Sequence, residues 1–236
     1  MDHLGIISGT VPVDSECLTV TATENVATAF GAVKVLRCRE GFFIARHGSG
    51  AEPYILPHSI NHQANIAALR KLGATLIVGV CSTGSLKRSL PPGTIVVPED
   101  FISFSDPPTA FTGVPEHILP VLSENVRRGL IETAAVLGLP LHDGGVYWQT
   151  RGPRFETKAE IRFMACFADL VGMTMAGEAT AACAIGVPYG AICSVDNFGH
   201  GLADESLTVE GVAAGARRAS RSIFSLLKLY GERINR

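Results

Sequence analysis

The sequence predicts an α/β fold: a single domain spanning residues 1–236, with a central mixed β-sheet flanked by helices. Two observations carry that prediction. Short apolar runs of strand length recur from one end of the chain to the other, and segments of helical period lie between them. Such alternation builds a mostly parallel or mixed sheet covered on both faces. Length sets the bound. A chain of 236 residues fits one unit, without an internal repeat or a stretch polar enough for an interdomain linker.

Taken in order, Leu4–Ile7, Val33–Cys38 and Phe42–Arg46 read as buried strands, and Ile60–Leu72 reads as the first helix. Thr75–Val80 and Thr94–Val97 are further strands, separated by the breaker Pro91-Pro92-Gly93. Ser103–Glu116, which contains Pro107-Pro108, has weak periodicity and reads as a long loop, a common place for substrate contacts. Helical period returns in Val121–Leu137, then the strand Val146–Gln149, then helices at Lys158–Phe167 and Glu178–Ile185. Tyr189–Val195 is the last strand. The final helix is the clearest: Val209, Val212, Ala213, Ala216, Ala219, Ile223, Leu226, Leu227 and Tyr230 share one face.

Composition excludes several classes. Hydrophobic residues make up 47% and charged residues 18%, which is ordinary for a globular protein with a sizeable core. A formal net charge of −2 offers no broad basic surface to nucleic acid or an anionic membrane, so any phosphate must be held by a local site. Six cysteines lack C-x-x-C pairs and metal-ligand spacing, and they suit a reducing cytosol. No signal peptide is visible in MDHLGIISGTVP, and no stretch approaches the roughly 18–20 apolar residues of a membrane span. The expectation is a cytoplasmic protein without a metal site.

Five segments can carry chemistry. Gly5–Thr10 runs from a strand into a small-residue turn able to aim amides and a hydroxyl at an anion, or is simply a tight turn. Arg46 and His47 end an apolar strand, where an arginine fork beside a histidine suits phosphate or carboxylate; an exposed pair at a loop entrance reads equally well. His58, His62 and Asn65 follow, without the acidic partners that zinc would want. In Gly79–Ser85 a buried strand breaks into small hydroxyl residues, with Ser82 and Thr83 open to an oxyanion. Cys81 has no assignable base and reads as a buried thiol rather than a nucleophile.

The stretch Thr150–Thr157 says more. Two arginines, a Gly-Pro turn, Phe155 and Glu156 in one strand-to-helix loop suit a flat polar heterocycle, with a ring face from Phe155 and an N–H acceptor in Glu156. The fifth segment holds Met173, Thr174 and Glu178, then Asp196 and Asn197 just beyond the last strand, at the usual mouth of an α/β site. Glu178 reads as a first-turn carboxylate facing the helix dipole.

In order, GIISGT, ARHG, NHQANIAAL, TGSL, GPRFET and VGMT…E resemble the trimeric purine nucleoside phosphorylase and 5′-methylthioadenosine phosphorylase family, across almost the whole chain. The resemblance implies phosphorolysis of a purine nucleoside to free base and ribose 1-phosphate. Inorganic phosphate is then the co-substrate, no cofactor is needed, and the assembly is a homotrimer or a dimer of trimers. It assigns phosphate to Thr10, Arg46, His47, the Ser82 amide and Thr174, and the sugar to Met173. Phe155 and Glu156 meet the base, and His117 reaches into the neighbouring subunit's site. Val11 stands where a glycine is expected after Thr10, and Gly177 where proline is usual before Glu178.

The resemblance leaves the substrate open. Counted without gaps from Glu178, the base-reading position falls on Asn197, which beside Glu156 suits a 6-oxopurine. A shift of one residue places Asp196 there, the adenine-type choice. The histidine that grips a 5′-hydroxyl is missing from Leu207–Val212, where apolar residues such as Val209 suit a methylthio group; His200 is the one candidate replacement donor. A hydrolase using water and a non-catalytic binder of purines or other flat aromatic ligands remain rival readings, whereas a dinucleotide-binding dehydrogenase lacks its G-x-G-x-x-G turn.

Overall fold

The computed structural model describes residues 3–13, 16–49, 53–104, 117–204 and 207–235. Among these the backbone forms one mixed sheet of 11 strands. The first four strands are β1 (Leu4–Ser8), β2 (Val20–Thr28), β3 (Gly31–Cys38) and β4 (Gly41–Ala45). Next come β5 (Leu76–Ser85), β6 (Ile95–Val97) and β7 (Asp100–Ser103). The last are β8 (His142–Asp143), β9 (Val146–Gln149), β10 (Leu170–Gly172) and β11 (Tyr189–Phe198). The helices are α1 (His62–Lys71), α2 (Glu124–Leu137), α3 (Lys158–Met164), α4 (Met175–Ala184) and α5 (Val209–Ile234).

The sheet forks at β5. Its first half pairs in parallel with β1, its last residues Gly84 and Ser85 pair antiparallel with β10, and its other edge runs parallel to β11. One arm continues from β1 through β4, β3 and β2, another from β10 through β9 to β7, and a third from β11 to β6 and β8. The long pair β5/β11 is therefore the spine; the β1 arm joins the first half of β5, and the β10 arm joins its C-terminal end. A site placed there draws residues from distant parts of the chain.

Helices cover both faces, as the alternating pattern predicted. Ala64, Ile66, Ala68 and Leu69 of α1 and Met175, Ala179, Ala181 and Ala182 of α4 join one core. The other core takes Val126, Leu130 and Ala134 of α2 and the apolar stripe of α5, from Ala216 to Tyr230. Trp148, Ile161, Met164 and Val171 form a smaller cluster under α3, whose start is fixed by a capping box between Thr157 and Glu160.

The elements read from the sequence are all present, with two corrections that matter. The strand expected to break at Gly79–Ser85 continues through Ser85, and the last strand extends past Val195 to Phe198, because each supplies the other's ladder partner. Asp196 and Asn197 therefore lie inside β11, not beyond it. Strand β2 left no apolar trace in the sequence because most of its residues are exposed. The short β7, β8 and β10 were too brief to show a period. Of the loop expected at Ser103–Glu116, Ser103 closes β7 and residues 105–116 lie outside the described residues.

Candidate active site

A cavity of about 260 Å³ opens at the C-terminal end of β5 and β11. Thr10, Arg46, His47, Ser82 and Thr174 line it, as do Met173, Phe155, Glu156, Asn197 and Val209. Ten of the residues singled out in the sequence thus share one concavity, from seven separate stretches of the chain. Asp196 is not in the lining, and His117 is exposed on the chain that follows residue 116.

Arg46 is held by its surroundings. The side chain is 3% exposed. Nη1 donates to the Val80 carbonyl at 2.9 Å and to Thr174 Oγ1 at 3.3 Å. Nη2 donates to the Ile7 carbonyl at 2.7 Å and to Glu178 Oε2 at 3.2 Å, while Nε lies 2.7 Å from Glu178 Oε1. Burial is the largest single influence and works against the guanidinium charge, but the Glu178 carboxylate together with Cys81, Tyr189 and Tyr147 outweighs it, so the Arg46 pKa is raised and the charge is kept. Glu178 also accepts from the Tyr189 hydroxyl at 2.8 Å. Its role is therefore the buried anchor of Arg46 rather than a surface carboxylate facing the helix dipole. A lone carboxylate within MAGEATAACA, where everything around it is small or apolar, was the sequence signal for such a pairing.

His47 is neutral. Burial, together with the nearby Arg46 charge, pulls its pKa down to about 4 despite the bond to a carbonyl. Its Nδ1 lies 2.7 Å from the Ile55 oxygen, so the proton sits there and Nε2 is an acceptor. The ring stacks on Tyr54 at 4.6 Å, and the Tyr54 hydroxyl is hydrogen-bonded to Thr10. A fixed cation, an acceptor imidazole and a hydroxyl thus sit side by side, an arrangement suited to a partly protonated oxyanion.

The rest of the lining is suited to a ring and a sugar. Glu156 is buried, and Thr150 Oγ1 donates to its Oε1 at 2.6 Å, which leaves Oε2 for a ligand N–H. Met173 packs against Gly152, where a Cβ would lie 2.5 Å from the methionine sulfur and φ is +64°; only glycine fits that corner. Leu207, Val209, Val212 and Ala213 form an apolar wall at the start of α5, with Leu56 and Pro57 also in the lining. At β11 the pairing steps from Val195↔Thr83 to Asn197↔Gly84, so Asp196 is an extra residue in a bulge. The bulge turns Asn197 to the cavity and Asp196 toward Ser82, whose Oγ donates to Asp196 Oδ2 at 2.5 Å.

The sequence model of a known family, described as the phosphorylase superfamily, matches residues 12–230. The chain belongs to the phosphorylase superfamily. This superfamily member is 34% identical over 243 residues to the probable 6-oxopurine nucleoside phosphorylase of Archaeoglobus fulgidus, covering 99% of both chains. It is 37% identical over 220 residues to the probable S-methyl-5′-thioinosine phosphorylase of Methanothermobacter thermautotrophicus, covering 89% of this chain and 76% of the relative. The fold superposes with a TM-score of 0.92 on methylthioadenosine phosphorylase from Schistosoma mansoni in complex with adenine, at 25% identity, over 100% of this chain and 92% of the other.

Sequence reasoning missed the groups that hold this phosphorylase's site from behind. Tyr147, fully buried, accepts at its hydroxyl from the Thr174 amide at 3.2 Å and so caps the start of α4. Gln149 Oε1 takes the Gly177 amide at 3.1 Å. Neither residue stands in a motif; both are ordinary β9 residues until the sheet sets them under α4. Among the described residues, no cluster of His, Cys, Asp or Glu could hold a metal ion, and no helix is long and apolar enough to cross a membrane.

Proposed function

We propose that this phosphorylase cleaves 6-oxopurine nucleosides with inorganic phosphate, and that 5′-methylthioinosine fits its cavity best. One observation carries the base preference: Asn197 and Glu156 both line the cavity, while Asp196 is turned away to Ser82. An amide can both donate to purine N7 and accept from a neighbouring N–H, and the Glu156 carboxylate accepts from the ring N–H that a 6-oxopurine carries and adenine does not. The apolar wall of Leu207, Val209, Val212 and Ala213 favours a methylthio group over a hydroxyl at the sugar's 5′ carbon.

In the reaction a phosphate oxygen forms a bond to the anomeric carbon as the glycosidic C–N bond breaks, and the electron pair leaves with the purine. The ribosyl centre gains oxocarbenium character on the way. Thr10, His47 and Ser82 hold phosphate in position beside the Arg46 guanidinium, whose N–H groups are committed to Val80, Ile7, Thr174 and Glu178 and which supplies positive charge. The phosphate charge faces the developing cation, so the nucleophile needs no activation by a protein base. Asn197 stabilises the leaving purine through N7, and Glu156 and Phe155 fix its plane. All of this uses phosphate and protein donors alone, so the reading invokes neither metal nor organic cofactor. The same proposal includes a cytoplasmic homotrimer, with His117 completing the neighbouring subunit's site.

The test is base release from inosine, guanosine, methylthioinosine and methylthioadenosine, each with and without phosphate. The proposal expects phosphate-dependent release, fastest from methylthioinosine. Fastest release from methylthioadenosine would reverse the base assignment, release without phosphate would make the enzyme a hydrolase, and no release would leave a binding protein.

A further inference from the structure

The bulge in β11 sends two neighbouring polar residues to different tasks. Asn197 lines the cavity; Asp196, 4% exposed, lies behind it. Helix α5 closes over Asp196, since a Cβ on Gly215 would come within 2.7 Å of the Asp196 Cβ. Arg218 faces the carboxylate from α5, Cys193 from β11, and the Ser82 and Ser194 hydroxyls from the two spine strands. The position is shielded, and its strongest described contact is the 2.5 Å bond from Ser82 Oγ.

A serine hydroxyl has one proton. Because Ser82 gives it to Asp196, the side chain is held in one rotamer and shows the cavity only lone pairs. Next to it on β5, the Val80 carbonyl and Cys81 Sγ hold Arg46 and Thr174, so Ser82 borders the oxyanion end of the cavity. Near neutral pH inorganic phosphate is a mixture of singly and doubly protonated forms, so it brings one or two P–OH groups, the sole donors it has. Nε2 of His47 is an acceptor there as well, so Ser82 becomes the second acceptor at that end.

We propose that Asp196 is a positioning residue that acts through the Ser82 hydroxyl, turning it into an acceptor for the P–OH of protonated phosphate. This rests on the phosphorolysis reading, and the experiment separates the two. Phosphate KM and nucleoside KM are measured in the full-length enzyme for wild type, Ser82→Ala, Asp196→Ala and the double variant.

Loss of one hydrogen bond should raise phosphate KM about 5-fold in each single variant. Nucleoside KM should stay within about twofold, and the double variant should be no worse than Ser82→Ala, because the carboxylate works only through that hydroxyl. An unchanged phosphate KM in Asp196→Ala, effects that multiply in the double variant, or an equal rise in both KM values would overturn the assignment. Should Asp196→Ala fail to fold, Ser82→Ala probes the same contact from the cavity side, and an unchanged phosphate KM there overturns it too. Wild-type base release that needs no phosphate would instead sink the phosphorolysis reading before any variant is compared.

Discussion

Arg46 and Glu178 form a buried ion pair across 132 residues of sequence, with Nε 2.7 Å from Oε1 and side chains 2% and 0% exposed. Removing one partner strands the other as an uncompensated charge, at a cost of about 3–5 kcal/mol. Glu178→Gln keeps the shape and removes the charge. It should lower the melting temperature by roughly 10 °C and weaken phosphate binding, both readable by calorimetry with and without phosphate. An unchanged melting temperature would mean that the pair contributes little.

The proposed mechanism gives Asn197 the leaving-group role. Asn197→Ala should lower kcat about a hundredfold on the best nucleoside while changing ground-state binding far less, because the bond strengthens only as the purine gains electron density. Steady-state and binding measurements on the same variant check this. Comparable kcat in variant and wild type would remove the residue from the mechanism.

In the proposed reading the apolar wall sets the 5′ preference. Val212→Ser trims that wall and adds a hydroxyl, so methylthioinosine should lose about 5-fold or more in kcat/KM relative to inosine. A ratio that does not move would place the 5′ group elsewhere in the cavity.

Gly177 departs from the proline expected before Glu178, and the structure shows what occupies the space. A Cβ there would lie 2.7 Å from the His62 ring. Gly177→Ala should therefore destabilise the protein despite alanine's better helix propensity, by about 1–3 kcal/mol of overpacking. His62→Ala in the same chain should recover most of the loss. Additive losses in the double variant would show that the ring is not what the methyl group meets.

Acid stability should depend on the same neighbourhood. His47 and His62 have pKa values lowered to about 4 and about 3, chiefly by burial. Their ordinary value in the unfolded chain is 6.5, so the unfolded chain takes up these protons first. Their contribution is fully present above pH 6.5 and is lost as pH falls toward 4. Asp196 acts oppositely: burial raises it to about 6 from 3.8, so its burial costs more as pH rises through that window. His62→Gln should flatten the acid limb of the melting-temperature profile, and a limb of unchanged slope would assign it to other groups.

The alternation of strands and helices was legible because each element's apolar period is local, and both faces of the sheet had to be covered. That Arg46-His47 and Phe155-Glu156 would line a cavity was legible for a similar reason: charged and aromatic residues stood at strand ends and in a turn, where no core needs them. What escaped were Tyr147, Tyr189 and Gln149, which look like ordinary strand residues until the sheet sets them beneath α4.

The sequence by itself determined an α/β chain with a phosphate-and-purine set of side chains. It left Asp196 and Asn197 interchangeable, since counting along a strand cannot reveal a bulge. Only the tertiary structure decided between them. The offset arises from pairing β11 with β5, more than a hundred residues earlier, and one extra residue in that ladder reverses which side chain faces the cavity. The pairing of Glu178 with Arg46 was decided in the same way, because a buried charge finds its partner through packing and not through spacing along the chain.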